Sequence, residues 1–204
     1  MLWRTSPARS RRSPPADFIL PAQPTLVTRA PTGPEWLHEI KFDGYRLLAR
    51  KDAGRVALWS RHATDLTDGF PRIAEAVRSL PADDVLLDGE AVVFRPDGHT
   101  DFAALRTKRG ADDAQMVVFD LLHIDGEDRR KLPLEVRRAE LDALVAGVDT
   151  IMFSEAIKAD GAVVFAKACE MNLEGIVCKR LGSPYWSGRV RNWVKVKNPA
   201  FQRR

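Results

Sequence analysis

The sequence predicts an α+β fold in which antiparallel sheets dominate. Strand-like runs follow one another across short turns such as Asp52-Ala53-Gly54 and Pro96-Asp97-Gly98, which are typical of tight connections between strands. Helical periodicity is confined to a few separate segments, so the strand–helix–strand alternation of a parallel sheet is rare. With 204 residues, 45% of them hydrophobic, the chain can build one large core or a domain with a lobed cleft.

The first sixteen residues are rich in Arg, Ser and Pro and contain no acid. We predict a disordered basic tail at 1–16, because so few large apolar side chains cannot form a core. An acid-free composition is also found in organelle transit peptides, and such a tail could contact phosphates. Four prolines between positions 21 and 34 then predict an extended segment across the surface of the domain.

Antiparallel strands are predicted next, at 36–41, 45–51 and 56–60. The Asp43-Gly44 pair is expected to form a hairpin turn between the first two. The remaining elements are helices at 71–80, 101–108, 134–145 and 160–171, and strands at 85–94, 116–124, 150–153, 175–179 and 192–197. Asp160 is a suitable N-cap, and Asn172 a suitable left-handed stop, for the last helix.

Bulk composition restricts the function only loosely. Without the four arginines of the tail, basic and acidic side chains balance at 28 each, so net charge does not identify a partner. Cys169 and Cys178 lack Cys-x-x-Cys spacing, which favours a reducing, cytoplasmic setting over a disulfide framework or a zinc site. No apolar run reaches membrane-spanning length, so we expect a soluble protein with no membrane partner.

The stretch Lys41-Phe42-Asp43-Gly44-Tyr45-Arg46 is accompanied by four charged or aromatic clusters, each on a separate predicted strand. These clusters are Asp88-Gly89-Glu90, Phe119-Asp120, Glu174 to Lys179, and Lys195 with Lys197. A carboxylate such as Glu90 in an apolar strand is costly unless it is paired or holds a metal. Alternation places Lys195 and Lys197 on one face of their strand. Phe119, by itself, is expected to be a core residue.

These residue types suit phosphoryl transfer. A lysine amine attacks phosphorus only when deprotonated, and neighbouring cations favour the neutral amine. Lys195, Lys197 and Mg²⁺ would neutralise the charge that develops on the phosphate. Mg²⁺ prefers oxygen ligands, for which Glu90 and Glu174 are the evident carboxylates.

Lys-x-Asp-Gly-x-Arg resembles the nucleophile motif of the covalent nucleotidyltransferases, which include polynucleotide ligases and messenger-RNA capping enzymes. Glu174-Gly175-Ile176-Val177-Cys178-Lys179 is a near-literal match to a second ligase motif. With residues 36–46, Ser60-Arg61 and 128–134, the chain looks like the bacterial ATP-dependent DNA ligases of the end-joining type. The resemblance implies a nucleotidyltransferase (ATP-grasp-like ligase) domain, with antiparallel sheets flanked by helices around an ATP cleft.

The resemblance also implies roles for individual residues. Lys41 would form the lysyl–AMP bond, Asp43 would support the lysine or metal site, and Phe119 would stack on the purine. Glu39 would sit near the adenine, and Arg46 and Arg61 would contact the ribose or a 5′-phosphate. The other nucleotide-binding residues would be Ile40, Glu90, Glu174, Lys179, Lys195 and Lys197, with Glu90 and Glu174 also binding Mg²⁺ or Mn²⁺.

The expected substrate is nicked or broken double-stranded DNA. The family usually continues into an oligonucleotide-binding barrel, which these 204 residues do not include, so we expect residues 17–204 to form an adenylation domain. Three interpretations remain open: a stand-alone adenylation domain, a natural or artificial truncation, and a domain that works with a barrel on another chain. End-joining proteins are further candidate partners. Two alternatives remain open. One is a catalytically weak nucleotide- or nick-binding module of a repair complex, which the missing barrel favours. The other is an RNA ligase, because only contacts to 2′-hydroxyls would separate DNA from RNA.

Overall fold

The computed structural model describes residues 17–203, and the predicted tail at 1–16 lies outside them. Two mainly antiparallel sheets form the framework of this part of the chain. The smaller sheet contains, in spatial order, β1 (Ala22–Leu26), β10 (Gly188–Lys197), β9 (Gly175–Arg180) and β2 (Trp36–Ile40). The larger sheet contains β4 (Arg55–Ser60), β3 (Tyr45–Asp52), β5 (Asp84–Val92), β6 (Gln115–Ile124) and β7 (Glu127–Asp128), with β8 (Ile151–Phe153) parallel to β6.

The helices of the described residues follow the predicted pattern closely. They are α1 (Pro71–Ser79), α2 (Lys108–Asp112), α3 (Leu134–Val145) and α4 (Gly161–Glu170). Asp160 caps α4 by accepting a hydrogen bond from the Ala162 N–H at 2.9 Å, and Asn172 has a φ of 52°, as predicted. The predicted helix at 101–108 is wrong in detail, since a 3₁₀ turn at Ala104–Arg106 precedes α2.

Three clusters of buried apolar side chains hold the elements together. The largest packs α1 and α3 against the larger sheet, the second lies between the two sheets, and the third packs α4 against the smaller sheet. The second cluster matters most for function, because it fixes how the two sheets face each other. None of the helices within residues 17–203 is long and apolar enough to cross a membrane.

The predicted hairpin at Asp43-Gly44 is wrong. Strand β2 pairs with β9 in the smaller sheet, whereas β3 pairs with β4 and β5 in the larger one. Residues 41–44 therefore cross from one sheet to the other. Glycine is needed there for close approach, since a Cβ on Gly44 would overlap the carbonyl oxygen of Ala91.

The proline-rich segment also differs from its prediction. Residues Ala22–Leu26 do not simply lie across the surface but form β1, which pairs in parallel with β10. Ala22 is buried between the sheets. The prolines at 21 and 24 are compatible with this because β1 is an edge strand.

Candidate active site

A cleft of about 460 Å³ opens between the two sheets and brings together most of the predicted site residues. The predicted residues that line it are Glu39, Ile40, Lys41, Arg46, Arg61, Glu90, Phe119, Lys179 and Lys195. Glu174 does not line the cleft itself, but it contacts Lys41, which does. Asp43 and Lys197 do not line it. Pro21 to Pro24, in and before β1, form one of its walls.

Lys41 follows the last residue of β2, where the chain leaves the smaller sheet. Its main-chain N–H donates to the Gly175 carbonyl at 3.0 Å, so the backbone is still tied to β9 at this point. Its Nζ donates to Glu174 Oε2 at 2.5 Å, and its side chain is 21% exposed. The amine is therefore fixed in direction while remaining accessible from the cleft.

Two further lysines surround this amine, as the alternation of β10 predicts. Lys197 Nζ lies 3.2 Å from Glu174 Oε1, so one carboxylate is shared between Lys41 and Lys197. Lys195 lines the cleft, and its pKa is lowered by burial and by the nearby positive charges of Lys41 and Lys197. The cations expected around Lys41 are thus present.

Glu39, on β2 and two positions before Lys41, is the centre of a buried polar network. Its Oε1 accepts a hydrogen bond from Arg138 at 2.5 Å and lies 2.8 Å from the Lys179 amine, and its Oε2 accepts from the Ser154 hydroxyl at 3.0 Å. Burial lowers the pKa of Lys179, an effect that Glu39 opposes. This carboxylate faces the cleft with its orientation set by three partners.

Phe119 lies in the cleft wall with cations against its ring. The Arg46 guanidinium is 4.5 Å and the Lys179 amine 4.6 Å from the ring centroid, and Trp193 meets the ring edge-on at 6.3 Å. A purine stacking on Phe119 would have to share or displace one of these contacts.

Arg46 is held by a carboxylate that sequence reasoning did not select. Its Nε and Nη2 donate to the two oxygens of Asp88 at 2.5 and 2.7 Å. Although burial disfavours its charge, Asp88 raises the pKa of Arg46. Asp88 has no solvent exposure, and Tyr185 also donates to it, at 2.6 Å. The argument applied to Glu90, an acid in an apolar strand, would have identified Asp88 too.

Glu90 lines the cleft, and burial raises its pKa to about 7 although Arg46 and Lys41 oppose the shift. The adjacent Gly89 allows close approach, as predicted, but the approaching group is the Val117 carbonyl of β6, 2.6 Å from where a Cβ would stand.

No group of three or more His, Cys, Asp or Glu side chains among residues 17–203 could hold a metal ion. Mg²⁺ commonly uses only one or two carboxylates plus water and phosphate, so a larger cluster is not required for the predicted pair, Glu90 and Glu174.

Asp43 points away from the cleft towards the C-terminal end of the described chain. Arg203 Nε donates to Asp43 Oδ2 at 2.8 Å, and a second bond joins the other oxygen to Nη2. Its contact with the site is therefore through the backbone of residues 41–44. Arg61, by contrast, lines the cleft from an exposed position, and within residues 17–203 its side chain bonds the adjacent His62, at 3.0 Å.

The comparisons with known proteins agree with this geometry. A family model described as the ATP dependent DNA ligase domain matches residues 23–197. The chain belongs to that ligase family. The predicted resemblance and the α+β nucleotidyltransferase fold are both confirmed by its relatives.

One relative of this ligase domain is the multifunctional non-homologous end joining protein LigD of Pseudomonas aeruginosa. It is 40% identical over 201 residues, which cover 94% of this chain and 24% of that protein. The ligase domain of Mycobacterium tuberculosis LigD superposes with a TM-score of 0.77 at 36% identity, covering 88% of this chain and 60% of that one. A mycobacterial DNA ligase D complexed with ATP and MES gives a TM-score of 0.76 at 34% identity, with the same coverage. The chain thus spans about a quarter of the length of the first relative.

Proposed function

We propose that this ligase domain adenylates Lys41 with ATP, releases pyrophosphate and passes AMP to a 5′-phosphate at a nick or end in DNA. The observation that carries the proposal is the Lys41 amine, which lies 2.5 Å from Glu174 in a cleft that also presents Lys195. A nucleophile, a proton acceptor and a cation for the developing phosphate charge are close together there.

In the first step, the lone pair of Lys41 Nζ forms a bond to the α-phosphorus of ATP. The bond from that phosphorus to the bridging oxygen breaks, and pyrophosphate leaves with the electron pair. The Glu174 carboxylate, already in contact with Nζ, is placed to accept the amine proton. In the second step an oxygen of the 5′-phosphate attacks the same phosphorus, the P–N bond to Lys41 breaks, and the lysine nitrogen regains a proton from Glu174 and leaves as the amine.

The remaining cleft residues bind and orient the nucleotide. We assign Glu39, Ile40, Phe119 and Lys179 to the adenine end. Glu39 and Ile40 precede Lys41 on β2, Lys179 lies on the neighbouring strand β9, and Phe119 lies on β6 of the facing sheet. Arg46 and Arg61 are assigned to the ribose or to the 5′-phosphate of the DNA. Lys195 and Lys197 stabilise the charge on the α-phosphate, and Asp43 supports the loop of Lys41 from outside the cleft.

Mg²⁺ or Mn²⁺, held by Glu90 and Glu174, would supply charge neutralisation along the triphosphate. We also propose nicked or broken double-stranded DNA as the substrate, since the matching family model and the relatives above are those of DNA ligases. A separate oligonucleotide-binding domain or end-joining proteins are the proposed partners. A cytoplasmic setting agrees with the free thiols of Cys169 and Cys178.

The test is covalent labelling with ATP carrying a labelled α-phosphate, in the presence of Mg²⁺. We expect acid-stable label on the wild-type protein and none on Lys41→Ala or Lys41→Arg, because a guanidinium stays protonated and cannot attack. Lys158→Ala, at an exposed position, is the matched control and should label normally. Undiminished labelling of Lys41→Ala would reject the nucleophile. ATP binding without any labelling would instead favour a nucleotide- or nick-binding module.

A further inference from the structure

Acidic and basic side chains are unevenly distributed along the folded chain. Glu174 is the last acidic residue, and residues 175–204 contain eight Lys or Arg and no Asp or Glu. The overall balance of charge therefore conceals a basic final segment. The segment forms β9, the loop after it and β10, which are neighbours in the smaller sheet. Basic side chains concentrated in one part of a fold are the electrostatic signature of nucleic-acid binding.

Three arginines of this segment have no acidic partner within the described part of the chain. Arg180, Arg189 and Arg191 are exposed and take part in none of the ion pairs found among residues 17–203. The other described basic residues of the segment are already engaged by a carboxylate or by the cleft, namely Lys179, Lys195, Lys197 and Arg203. The three arginines thus present charge that no ion pair within residues 17–203 neutralises.

An exposed aromatic ring lies in the chain between these arginines. Trp186 is 61% exposed. Among the large hydrophobic side chains described, only Val163 is more exposed, and Leu26 is equally exposed. A tryptophan normally gains several kcal/mol by burial, so an indole left in water is a candidate for contact with another molecule.

The loop that carries Trp186 is anchored rather than loose. The preceding residue, Tyr185, is buried, and its main-chain N–H donates to the Arg130 carbonyl at 2.8 Å. The Asn192 amide donates to the Pro184 carbonyl at 3.0 Å, and the Ser183 hydroxyl donates to the Arg180 carbonyl at 2.6 Å. After Trp186, the Gly188 N–H donates to the Pro21 carbonyl at 3.3 Å. The backbone is therefore held on both sides of Trp186, which lowers the entropy lost when a ligand binds there.

The register of the sheet places this region beside the cleft. Gly188 pairs with Ala22 and Arg189 pairs with Gln23, and both of these β1 residues line the cleft. Between Pro24 and Thr25 the register shifts, which leaves Arg191 in an irregular stretch of β10. Irregularities of this kind redirect side chains from the sheet.

We propose that Trp186 with Arg180, Arg189 and Arg191, together called the Trp186 surface, binds the DNA strand next to the reacting 5′-phosphate. The arginines contact backbone phosphates, and the indole packs on a deoxyribose or an unpaired base. The inference rests on the proposed function, since it names the surface that holds the substrate of that same cleft. It also locates DNA contact on a chain whose total charge gave no such indication.

The test compares Arg189→Ala/Arg191→Ala and Trp186→Ala with Arg55→Ala/Lys158→Ala, a control that removes two exposed charges with no described ion pair. Binding of a fluorescent nicked duplex is measured by anisotropy at several salt concentrations. We expect the double arginine variant to bind about tenfold more weakly, with a salt slope lower by about two, because each lost phosphate contact removes about 0.9. Trp186→Ala should weaken binding with an unchanged slope.

Labelling of Lys41 by ATP on the same samples separates the two proposals. Normal labelling with weakened DNA binding supports the surface, whereas unchanged affinity and slope in both variants would overturn it and leave the adenylation chemistry standing. Loss of all labelling in the wild-type protein would reject the proposed chemistry but not a measured effect on DNA binding. If polyglutamate of matched charge competes as well as duplex DNA, the surface fits an acidic protein and the inference is wrong.

Discussion

Among single residues, Glu90 lines the cleft and has a carboxyl pKa well above the ordinary value. Burial raises its pKa to about 7, while the neighbouring Arg46 and Lys41 limit the shift. The carboxyl group is therefore close to half protonated at neutral pH. A cation bound beside it would favour the ionised form and return it to a normal acid.

We predict from this that Glu90→Gln stabilises the protein increasingly as pH rises. In the wild type the pKa of Glu90 in the folded state, about 7, exceeds the ordinary value of 4.5. Burying the charged carboxylate therefore costs no stability below pH 4.5, and this cost reaches its full size above pH 7. Glutamine has no such cost. The difference in free energy of unfolding, measured by urea denaturation, should grow by about 2 kcal/mol between pH 5 and pH 8. A difference that is constant with pH would show that Glu90 titrates normally.

Glu39 shows what sequence reasoning reaches at the residue scale and what it misses. The family resemblance predicted that it sits near the adenine, and the structure places it in the cleft wall. Its partners Arg138 and Ser154 lie 99 and 115 positions further along the chain. Such contacts depend on how α3 and the end of β8 pack against β2, which no local pattern encodes.

At the scale of elements, the crossing at residues 41–44 determines where Lys41, the proposed nucleophile, lies. The segment leaves β2 in one sheet and enters β3 in the other, so Lys41 comes to stand at the junction between them. Gly44 passes so close to Ala91 of β5 that a Cβ has no room.

We therefore predict that Gly44→Ala is both destabilising and slow in adenylation. The added methyl group must displace backbone on β5 or on the loop, which should cost about 2–4 kcal/mol of stability and move Lys41. Gly69→Ala is the control, because nothing lies within 4 Å of its Cβ position and its φ is not positive. Chemical denaturation gives the stability, and the rate of covalent labelling gives the effect on Lys41. Equal behaviour of the two variants would contradict the importance of the crossing.

Sequence patterns located nearly every strand and helix because alternation and helical periodicity are local. They did not assign β2 and β3 to different sheets, since an Asp-Gly pair suits a hairpin turn and a close crossing equally well. The role of β1 was also missed. An edge strand with two nearby prolines gives little periodic signal, and its parallel pairing with β10 joins distant parts of the chain.

For the whole molecule, a ring of hydrogen bonds ties the two sheets together at the cleft. The Ala22 N–H donates to the Tyr185 hydroxyl at 2.8 Å, the hydroxyl donates to Asp88, and Arg46 joins Asp88 back to the Ala22 carbonyl at 3.2 Å. Ala22 belongs to the smaller sheet, and both Asp88 and Arg46 belong to the larger one.

Tyr185→Phe should loosen this connection. The change leaves the buried Ala22 N–H unpaired and removes one donor from Asp88, which should cost about 1–3 kcal/mol in free energy of unfolding. We also expect weaker ATP binding, seen as a higher KM for labelling, because the wall formed by β1 is less firmly held. Tyr45→Phe, at the other tyrosine of the chain, should have a smaller effect on both measurements. An unchanged KM in Tyr185→Phe would mean that the apolar cluster alone sets the width of the cleft.

The contact between Arg203 and Asp43 has a practical consequence. After β10 the backbone turns back, and the Asn198 N–H donates to the Glu174 carbonyl at 2.9 Å. The Arg203 guanidinium lies 4.1 Å from the ring centroid of Phe102 and donates hydrogen bonds to Asp43. The last described residues are thus bonded to Asp43, two positions from the proposed nucleophile Lys41. An affinity tag, dye or surface tether joined to the C-terminal side would pull on the loop of Lys41, whereas the same attachment at the N-terminal side has no described contact with that loop.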